Sequence, residues 1–471
     1  MTRKLFLGLL LTTTCFAQST LILQNPADAP VNPNPWLQAE EQASESSRTY
    51  ARPTATPPPQ TQAAPSTVQL SVKDAETLAL QHNPQITQAR LLALASHQAT
   101  RVSRSVLWPA ANLDLTAVDS AENSRISAGG LNNPIIYERA AAGTTVSQLI
   151  TDFGHTSNLG ASARLSEQSE NQNALATREQ VLLAVDQAFY GVLQSRAVLK
   201  VAQETVNARQ SVSDQVTALA KSKLKSDLDA SFANVNLAQA KLLLLDAQNN
   251  EQSALASLSA ILGYPALQSF ELTEDTQPLT NPPANIDALT ADALIRRPEL
   301  LALNYEYLSQ KKLHAAERDQ LLPTISALGA VGLAPVRNDH LSSWYGAVGV
   351  NVQVPIFNGF RYSAQAREAD LRAQATQQQY VDLRNRIVRD VRTAWLSANT
   401  AYNRLDVSQQ LLSEANLALN LAQTRYNLGL GSIVELSQAQ LQQTQAQISS
   451  AQAGYDYRLA LAVLRYQTAA P

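Results

Sequence analysis

Cysteine is almost absent from this sequence. The single Cys15 among 471 residues lies near the N-terminus. The folded region therefore has no disulfide framework, no cysteine-rich zinc site and no Cys/His catalytic pair. The five histidines show no paired ligand spacing, so we predict neither a metal site nor a cofactor.

Charged residues are scarce as well. They make up 16% of the sequence, against roughly 25% in an ordinary soluble domain. The formal net charge of −3 offers no basic face for nucleic acid, so we predict no nucleic-acid binding. The triplet Asp152-Phe153-Gly154 is not accompanied by a Gly-rich nucleotide motif or a catalytic loop, and we predict no enzyme activity.

Long apolar runs are missing after the first residues. Residues 1–17 are predicted to be a secretory signal, because Arg3 and Lys4 precede the apolar stretch Leu5–Leu11 and a small-x-small cleavage site. Lipidation of Cys15 is the alternative. No later run reaches the 18 or so apolar residues of a transmembrane helix. A mature chain that spans a membrane must therefore do so with strands.

Proline is unevenly distributed. Nine of the 21 prolines fall between Pro26 and Pro65, in a stretch rich in Gln, Ala, Ser and Thr. Such a composition buries too little surface to order itself, and we predict a flexible, partly polyproline-II leader over residues 18–66. No proline occurs between Pro134 and Pro265 or between Pro355 and Pro471. These two stretches can form long helices.

The proline-free stretches carry heptad repeats, which are typical of coiled coils. The predicted seams are Leu237, Ala240, Leu244, Ala247, Glu251, Ala254, Leu258 and Ile261; Val185, Ala188, Val192, Ser195, Leu199 and Ala202; and Leu411, Ala415, Ala418 and Ala422. A helix from near Asn158 to near Leu219 would be on the order of 90 Å long. The heptad repeats alone are consistent with any long coiled-coil protein.

Strand patterns interrupt the helical ones twice. Valines at 348, 350, 352 and 354 alternate with small or polar residues, and similar alternation occurs at 325–331, 113–117 and 144–150. We predict one hairpin at about 109–152 and another at about 323–358, with strands long enough to cross a tilted bilayer. Trp108, Trp344 and Tyr345 lie where an aromatic girdle is expected. A soluble hairpin packed on helices would look similar.

The two halves of the chain match each other. Asn83-Pro84 corresponds to Arg297-Pro298 at an offset of 214 residues, and after the next loop Ser226 corresponds to Ser432 at an offset of 206. Internal repeats of this kind indicate duplication. We place repeat one at about 69–264 and repeat two at about 285–470, each with helices, one hairpin and long helices.

Four strands cannot close a barrel. In lipid, each unpaired group of an open sheet edge costs several kcal/mol. Chains must therefore share one barrel: two copies give 8 strands, which side chains would fill, whereas three give 12 strands and a lumen. Symmetric closed rings are the usual solution.

These patterns together resemble the outer-membrane efflux protein family. The resemblance covers about residues 69–470. It depends on the duplicated Leu-Ala-Leu-x-x-Asn-Pro pattern at 78–84, the Trp-Pro and Leu-Pro strand entries at 108–109 and 322–323, and the segment Arg425–Ser432. It implies an α+β membrane protein: a homotrimer with a 12-stranded β-barrel in outer-membrane lipid and an α-barrel of antiparallel coiled-coil helices in the periplasm.

The resemblance also implies a gate at the periplasmic tip. Asp229 and Tyr426 match a pair that hydrogen-bonds across neighbouring helix pairs, and Glu435 matches a carboxylate that narrows the pore. Tip turns that dock an adaptor would include Leu224, Ser226, Gly429, Leu430, Gly431 and Ser432.

The tip departs from the family pattern in three places. Gly431 replaces an arginine, Gln438 replaces a second acid, and lysines occupy the first turn, Lys221–Ser226. We therefore expect weaker closure of the gate, a ring with fewer negative charges around the pore and an unusual fit for the adaptor.

By resemblance, the predicted function is a passive exit duct of a tripartite efflux or type I secretion system. Its expected partners are a periplasmic adaptor and an inner-membrane pump of RND or ABC type. The alternative is a soluble periplasmic coiled-coil scaffold or adaptor subunit. The exported cargo is not predicted.

Overall fold

The computed structural model describes residues 68–119, 139–268, 270–274, 278–334 and 342–469. The predicted signal peptide (1–17) and leader (18–66) lie outside these residues. The described elements are, in chain order, β1 (Val68–Leu70), α1 (Val72–His82), α2 (Pro84–Ser105), β2 (Ala110–Val118), β3 (Arg139–Thr151), α3 (His155–Lys221), α4 (Asp227–Ile261), β4 (Phe270–Leu272), α5 (Ile286–Arg296), α6 (Pro298–Asp319), β5 (Thr324–Leu333), β6 (Trp344–Gln353), α7 (Arg361–Asn427) and α8 (Ile433–Thr468).

The order of elements in the first half recurs in the second. Helices α1 and α2 begin and end 214 residues before α5 and α6, and α3 begins and ends 206 residues before α7. Both offsets are those read from the sequence. The two longest helices, α3 and α7, contain 67 residues each.

Asn-Pro and Arg-Pro steps separate the short helices from the next ones. The Asn83 side chain accepts a hydrogen bond from a backbone N–H two residues on at 2.8 Å, and it donates one to the Ile261 carbonyl at 2.8 Å. Pro84 occupies the first turn of α2, where its missing N–H costs nothing. Asn83 thus ends α1, begins α2 and fixes both to the end of α4.

The long helices pack as coiled coils. At about 1.5 Å per residue, α3 and α7 are each roughly 100 Å long. The predicted seams of α3 and α4 are confirmed along their length, because their members are buried, as Val185, Ala202, Leu237 and Leu258 are, or half-buried. Within one chain, only half of the predicted seam of α7 is buried. Ala415 and Ala422 are buried, whereas Leu411 is 52% exposed and Ala418 is exposed too.

The helices form two layers along the molecule. Near the sheet the packing order is α2, α3, α6, α7; farther away it is α4, α3, α8, α7. The largest hydrophobic core lies between these layers, where α1 and the parallel pair β1–β4 pack on α3 and α4 around Phe189, Leu258 and Leu262. Among the described residues, no helix is both long and apolar enough to cross a membrane.

The two predicted hairpins join into one antiparallel sheet of order β2-β3-β5-β6. Residues paired across an antiparallel ladder lie on the same face. The register therefore places Leu113, Leu115, Val331, Leu333 and Val348 on one face. Apart from Leu328, the opposite face is mostly small and polar, with Asn112, Asp114, Thr145, Ser147, Ser326, Asn351 and Gln353.

The aromatic residues near the strand ends divide between these faces. Trp108 precedes β2 at the helical end of the sheet and is 73% exposed, whereas Trp344 lies at the loop end on the apolar face and is 64% exposed. Tyr345 is the next residue along β6 and therefore lies on the polar face. Trp344 and Tyr345 therefore cannot both belong to a girdle on one face of the sheet.

Candidate functional site

Two helical turns lie at the end of the molecule farthest from the sheet. They connect α3 to α4 at residues 222–226 and α7 to α8 at residues 428–432. Both close with the same hydrogen bond: the Leu224 N–H donates to the Leu219 carbonyl at 2.9 Å, and the Leu430 N–H donates to the Arg425 carbonyl at 2.8 Å. These are Schellman-type helix ends, which require a left-handed residue.

The left-handed residue differs between the two turns. In the second turn it is Gly429, with φ 77°. In the first turn it is Lys223, with φ 62°, a conformation that costs an L-residue with a side chain roughly 1–2 kcal/mol. The first turn thus carries backbone strain that the second avoids.

We expect Lys223→Gly to stabilise the protein by about 1 kcal/mol, because it relieves this strain. Gly429→Ala should destabilise it by a similar amount, since a Cβ there would meet nothing within 4 Å and the cost would be purely conformational. Urea unfolding followed by circular dichroism measures both. A loss of stability in Lys223→Gly would contradict the assignment of strain.

Three predicted site residues begin the helices that follow the turns. The Ser226 hydroxyl accepts a hydrogen bond from the Asp229 N–H at 3.2 Å, and the Asp229 carboxylate accepts one from the Ser226 N–H at 3.2 Å. The Ser432 hydroxyl accepts from the Glu435 N–H at 3.1 Å. Ser226, Asp229 and Ser432 therefore cap α4 and α8, whatever further role they have.

Tyr426 is buried at the tip and is only 4% exposed. Its hydroxyl has no hydrogen-bond partner among the described residues, so the predicted bond to Asp229 is not made within one chain. Lys225 lies over the ring, with Nζ 4.0 Å from the ring centroid and 3.3 Å from the Tyr426 carbonyl oxygen. Burial raises the pKa of Tyr426, and the nearby Asp229 carboxylate raises it further.

Glu435 is paired rather than free. Its Oε1 lies 3.1 Å from Arg425 Nε, and Arg425 also donates to the Leu430 carbonyl at 3.3 Å. A Cβ at Gly431 would lie 3.1 Å from Glu435 Oε2 and 3.2 Å from Arg425 Cβ. The Arg425 guanidinium thus pairs with Glu435. Arg425 lies six residues before position 431, where the family pattern has an arginine.

Exposed leucines surround both turns. Leu224, Leu228, Leu428 and Leu430 are each more than 60% exposed, and Val434 is 56% exposed. Lys221 and Lys223 are exposed beside the first turn. Monomeric surfaces seldom expose apolar residues in such a group, and a group of this kind marks an interaction site.

A few polar contacts cross the seam between the helical hairpins α3–α4 and α7–α8. Arg209 on α3 is buried and donates to the Gln440 carbonyl at 2.7 Å and to the Thr444 hydroxyl at 3.1 Å. Asn236 donates to the Ser437 hydroxyl at 2.7 Å. No described carboxylate pairs with Arg209, and burial lowers its pKa to about 10.

Sequence reasoning missed the roles of Arg425 and Lys225. Arg425 belongs to the segment Arg425–Ser432, and Lys225 belongs to the lysine-rich turn, but the sequence alone assigns neither of them a contact.

In the described part of the chain no group of three His, Cys, Asp or Glu side chains is arranged to hold a metal ion.

The family model of outer membrane efflux proteins matches residues 77–264 and 289–469. The chain belongs to this family. Membership places the protein in the outer membrane and confirms the predicted TolC-like fold of long coiled-coil helices with a sheet. The family consists of transport channels rather than enzymes.

Individual relatives are distant but cover most of the chain. The outer membrane protein TolC of Vibrio cholerae serotype O1 is 24% identical over 405 residues, which are 82% of this chain and 88% of TolC. The solved structure of VceC from Vibrio cholerae has a TM-score of 0.73 at 17% identity and covers 84% of this chain and 95% of its own.

A second solved structure gives the same result. The CmeC outer membrane channel of Campylobacter jejuni has a TM-score of 0.73 at 17% identity and covers 89% of this chain and 93% of its own. At such low identity, the two structures show the shared fold alone. The roles of the tip residues in this family member therefore depend on the contacts described above.

Proposed function

We propose that the protein forms a homotrimeric outer-membrane duct, the passive exit of a tripartite efflux or type I secretion system. The observation that carries this proposal is that the sheet and both helix layers end in open edges on the same chain. A trimer closes all of these edges at once.

The sheet supports this proposal by its edges and its faces. Strands β2 and β6 each pair on one side only among the described residues. In hydrocarbon such edges are costly, and three chains close them into a 12-stranded barrel. The apolar face would then meet outer-membrane lipid, and the polar face with Asp114 and Asn351 would line the lumen.

The helices also support the proposed trimer, because the edge helices expose apolar residues. The edge helix α4 exposes Leu228, Phe232, Val235, Leu242 and Leu245. The other edge helix, α7, exposes Val407, Leu411, Leu417 and Leu421. Packing α4 of one chain on α7 of the next would bury both groups and close a ring of helices.

The partners follow from the tip. A ring of three chains would present six turns rimmed with exposed leucines, a surface suited to a periplasmic adaptor that connects the duct to an inner-membrane pump of RND or ABC type. We propose Asp229, Tyr426 and Glu435 as gate residues of this tip. No catalysis is proposed, and no cofactor is required.

Deletion of the gene, in a strain that lacks paralogues, is expected to sensitise cells to toxic compounds or to abolish secretion of a product. The physical reason is that cargo cannot cross the outer membrane without the duct. Minimal inhibitory concentrations and secreted protein measure the two outcomes.

Native mass spectrometry of the detergent-extracted protein is expected to give three chains per particle. Release by osmotic shock as a water-soluble monomer would contradict the trimer and favour the alternative, a periplasmic coiled-coil scaffold.

A further inference from the structure

One row of residues crosses the polar face of the sheet near its loop end. Tyr345 on β6 pairs with Gly332 on β5, Gly332 pairs with Gly143 on β3, and Gly143 pairs with Asp114 on β2. The row therefore has an aromatic residue at one end, a carboxylate at the other and two glycines between them.

The Tyr345 ring lies across the two glycines. A Cβ at Gly332 would be 2.7 Å from the phenol Cζ atom. A Cβ at Gly143 would be 3.2 Å from the same atom and would overlap the phenol hydroxyl. Because glycine has no Cβ, the ring can lie flat against the strands. One face of the ring then packs on the sheet, and the other face remains open to solvent.

Asp114 lies at the hydroxyl end of the ring. It is paired with Gly143, above which the hydroxyl lies, and Cβ positions directly opposite each other are about 5 Å apart. The Thr145 hydroxyl donates to Asp114 Oδ2 at 3.4 Å. This contact holds the carboxylate on the polar face of the sheet.

An open aromatic face next to a carboxylate is the combination that recognises an organic cation. The ring attracts the cation through its quadrupole, and the carboxylate supplies the opposite charge. Tyr345 is 41% exposed, so the ring face is accessible. On the opposite face of β6, Trp344 has no such carboxylate in its row, which consists of Leu333, Ala142 and Leu115.

We propose that Tyr345 and Asp114 form a binding station for organic ammonium compounds on the inner wall of the duct near its loop end. The proposal depends on the proposed function, because the polar face lines a lumen only in the closed barrel. A trimer would carry three such stations, spaced around the wall.

The test uses ethidium, a fluorescent organic cation, and the trimer in nanodiscs at low salt. Fluorescence anisotropy measures the affinity of ethidium for each variant. Tyr345→Leu and Asp114→Asn are each expected to weaken binding by about threefold to fivefold. Gly143→Ala should weaken it as well, because the added methyl group displaces the ring while both binding groups remain.

Two matched controls should bind as the wild type does. Trp344→Leu removes the neighbouring aromatic residue from the apolar face, and Glu204→Gln removes an exposed carboxylate from α3, outside the sheet. Equal affinity of the wild type, Tyr345→Leu and Asp114→Asn would overturn the proposal. A loss in Asp114→Asn alone would overturn the aromatic half and leave a simple charge effect.

Failure of this inference is distinguishable from failure of the proposed function. Native mass spectrometry and planar-bilayer conductance of the same preparations report whether the trimer forms a pore. A conducting trimer with unchanged ethidium affinity in all variants would reject the station and retain the duct. A particle that neither conducts nor contains three chains would reject the duct itself.

Discussion

Arg209→Met combined with Lys225→Ala is expected to raise the open probability of the trimer in planar bilayers. These residues supply three hydrogen bonds and a cation–π contact across the seam between the helical hairpins. Charge-assisted hydrogen bonds in such places contribute about 1.5–3 kcal/mol each. Their loss should increase open probability by on the order of tenfold or more, since 1.4 kcal/mol corresponds to tenfold. Single-channel recording measures the effect.

Lys223→Ala is the matched control, because Lys223 is exposed in the same turn and crosses no seam. It should leave the open probability unchanged. Recordings in which Arg209→Met with Lys225→Ala behaves as the wild type would show that these contacts do not hold the tip together.

Tyr426→Phe examines the proposed gate separately. The Tyr426 hydroxyl lacks a partner in the described part of the chain, so a hydrogen bond from this hydroxyl would have to reach a neighbouring chain. An increase in conductance would support the proposed bond to Asp229 across chains. No change would leave the seam contacts as the closing interaction and remove Tyr426 from the gate.

Much of the local structure could be predicted because it depends on neighbouring residues. The Asn83-Pro84 step favours a helix end, since the proline ring disfavours the helical conformation of the residue before it. The same reasoning places the strand entry after Trp108-Pro109. Ser226, by contrast, starts a helix because serine is a favoured N-cap residue. The alternation of valines in β6 also settles which residues share a face.

Contacts between distant segments could not be predicted in the same way. Heptad spacing predicts that Leu411 and Ala418 lie in a buried seam, but spacing does not say which partner a helix face meets. In α7, Ala415 and Ala422 face its partner helix, and Leu411 faces the open edge. The pairing of β3 with β5, which joins the two hairpins, likewise leaves no local signal.

Contacts between distant segments of the chain also determine the structure of the tip, so they could not be predicted there either. The absence of arginine at position 431 suggests weaker closure of the gate. The Schellman turn instead brings Arg425 back to Glu435, which is ten residues away in sequence. Lys225 reaches Tyr426 only because the two hairpins pack side by side. Both contacts depend on three-dimensional approach rather than on a sequence motif.

Asp186 presents a different kind of site, a buried carboxyl group far from the tip. It lies on α3 and faces Glu76 on α1 and Arg465 on α8. Its Oδ1 atom is buried without a hydrogen-bond partner among the described residues. Burial, and then the Glu76 carboxylate, raise the pKa of Asp186 from 3.8 to about 7, while Arg465 acts in the opposite direction.

The sign of the resulting pH dependence follows from linkage. Between about pH 4 and pH 7 the folded protein holds a proton on Asp186 that the unfolded chain has lost. The free energy of unfolding therefore decreases as the pH rises through this window, and above pH 7 the ionised pair Asp186 and Glu76 destabilises the packing of α1 on α3.

Asp186→Asn is expected to stabilise the protein at pH 8 by on the order of 2 kcal/mol, because a neutral amide replaces the buried charge. At pH 5 the difference should be clearly smaller, since only the lower part of the window between pH 4 and pH 7 has then been crossed. Apparent melting temperatures in detergent at both pH values measure this. Glu204→Gln, which removes an exposed carboxylate from the same helix, should show no such difference between pH 5 and pH 8. Equal stabilisation of Asp186→Asn at both pH values would mean that packing, rather than ionisation, governs this contact.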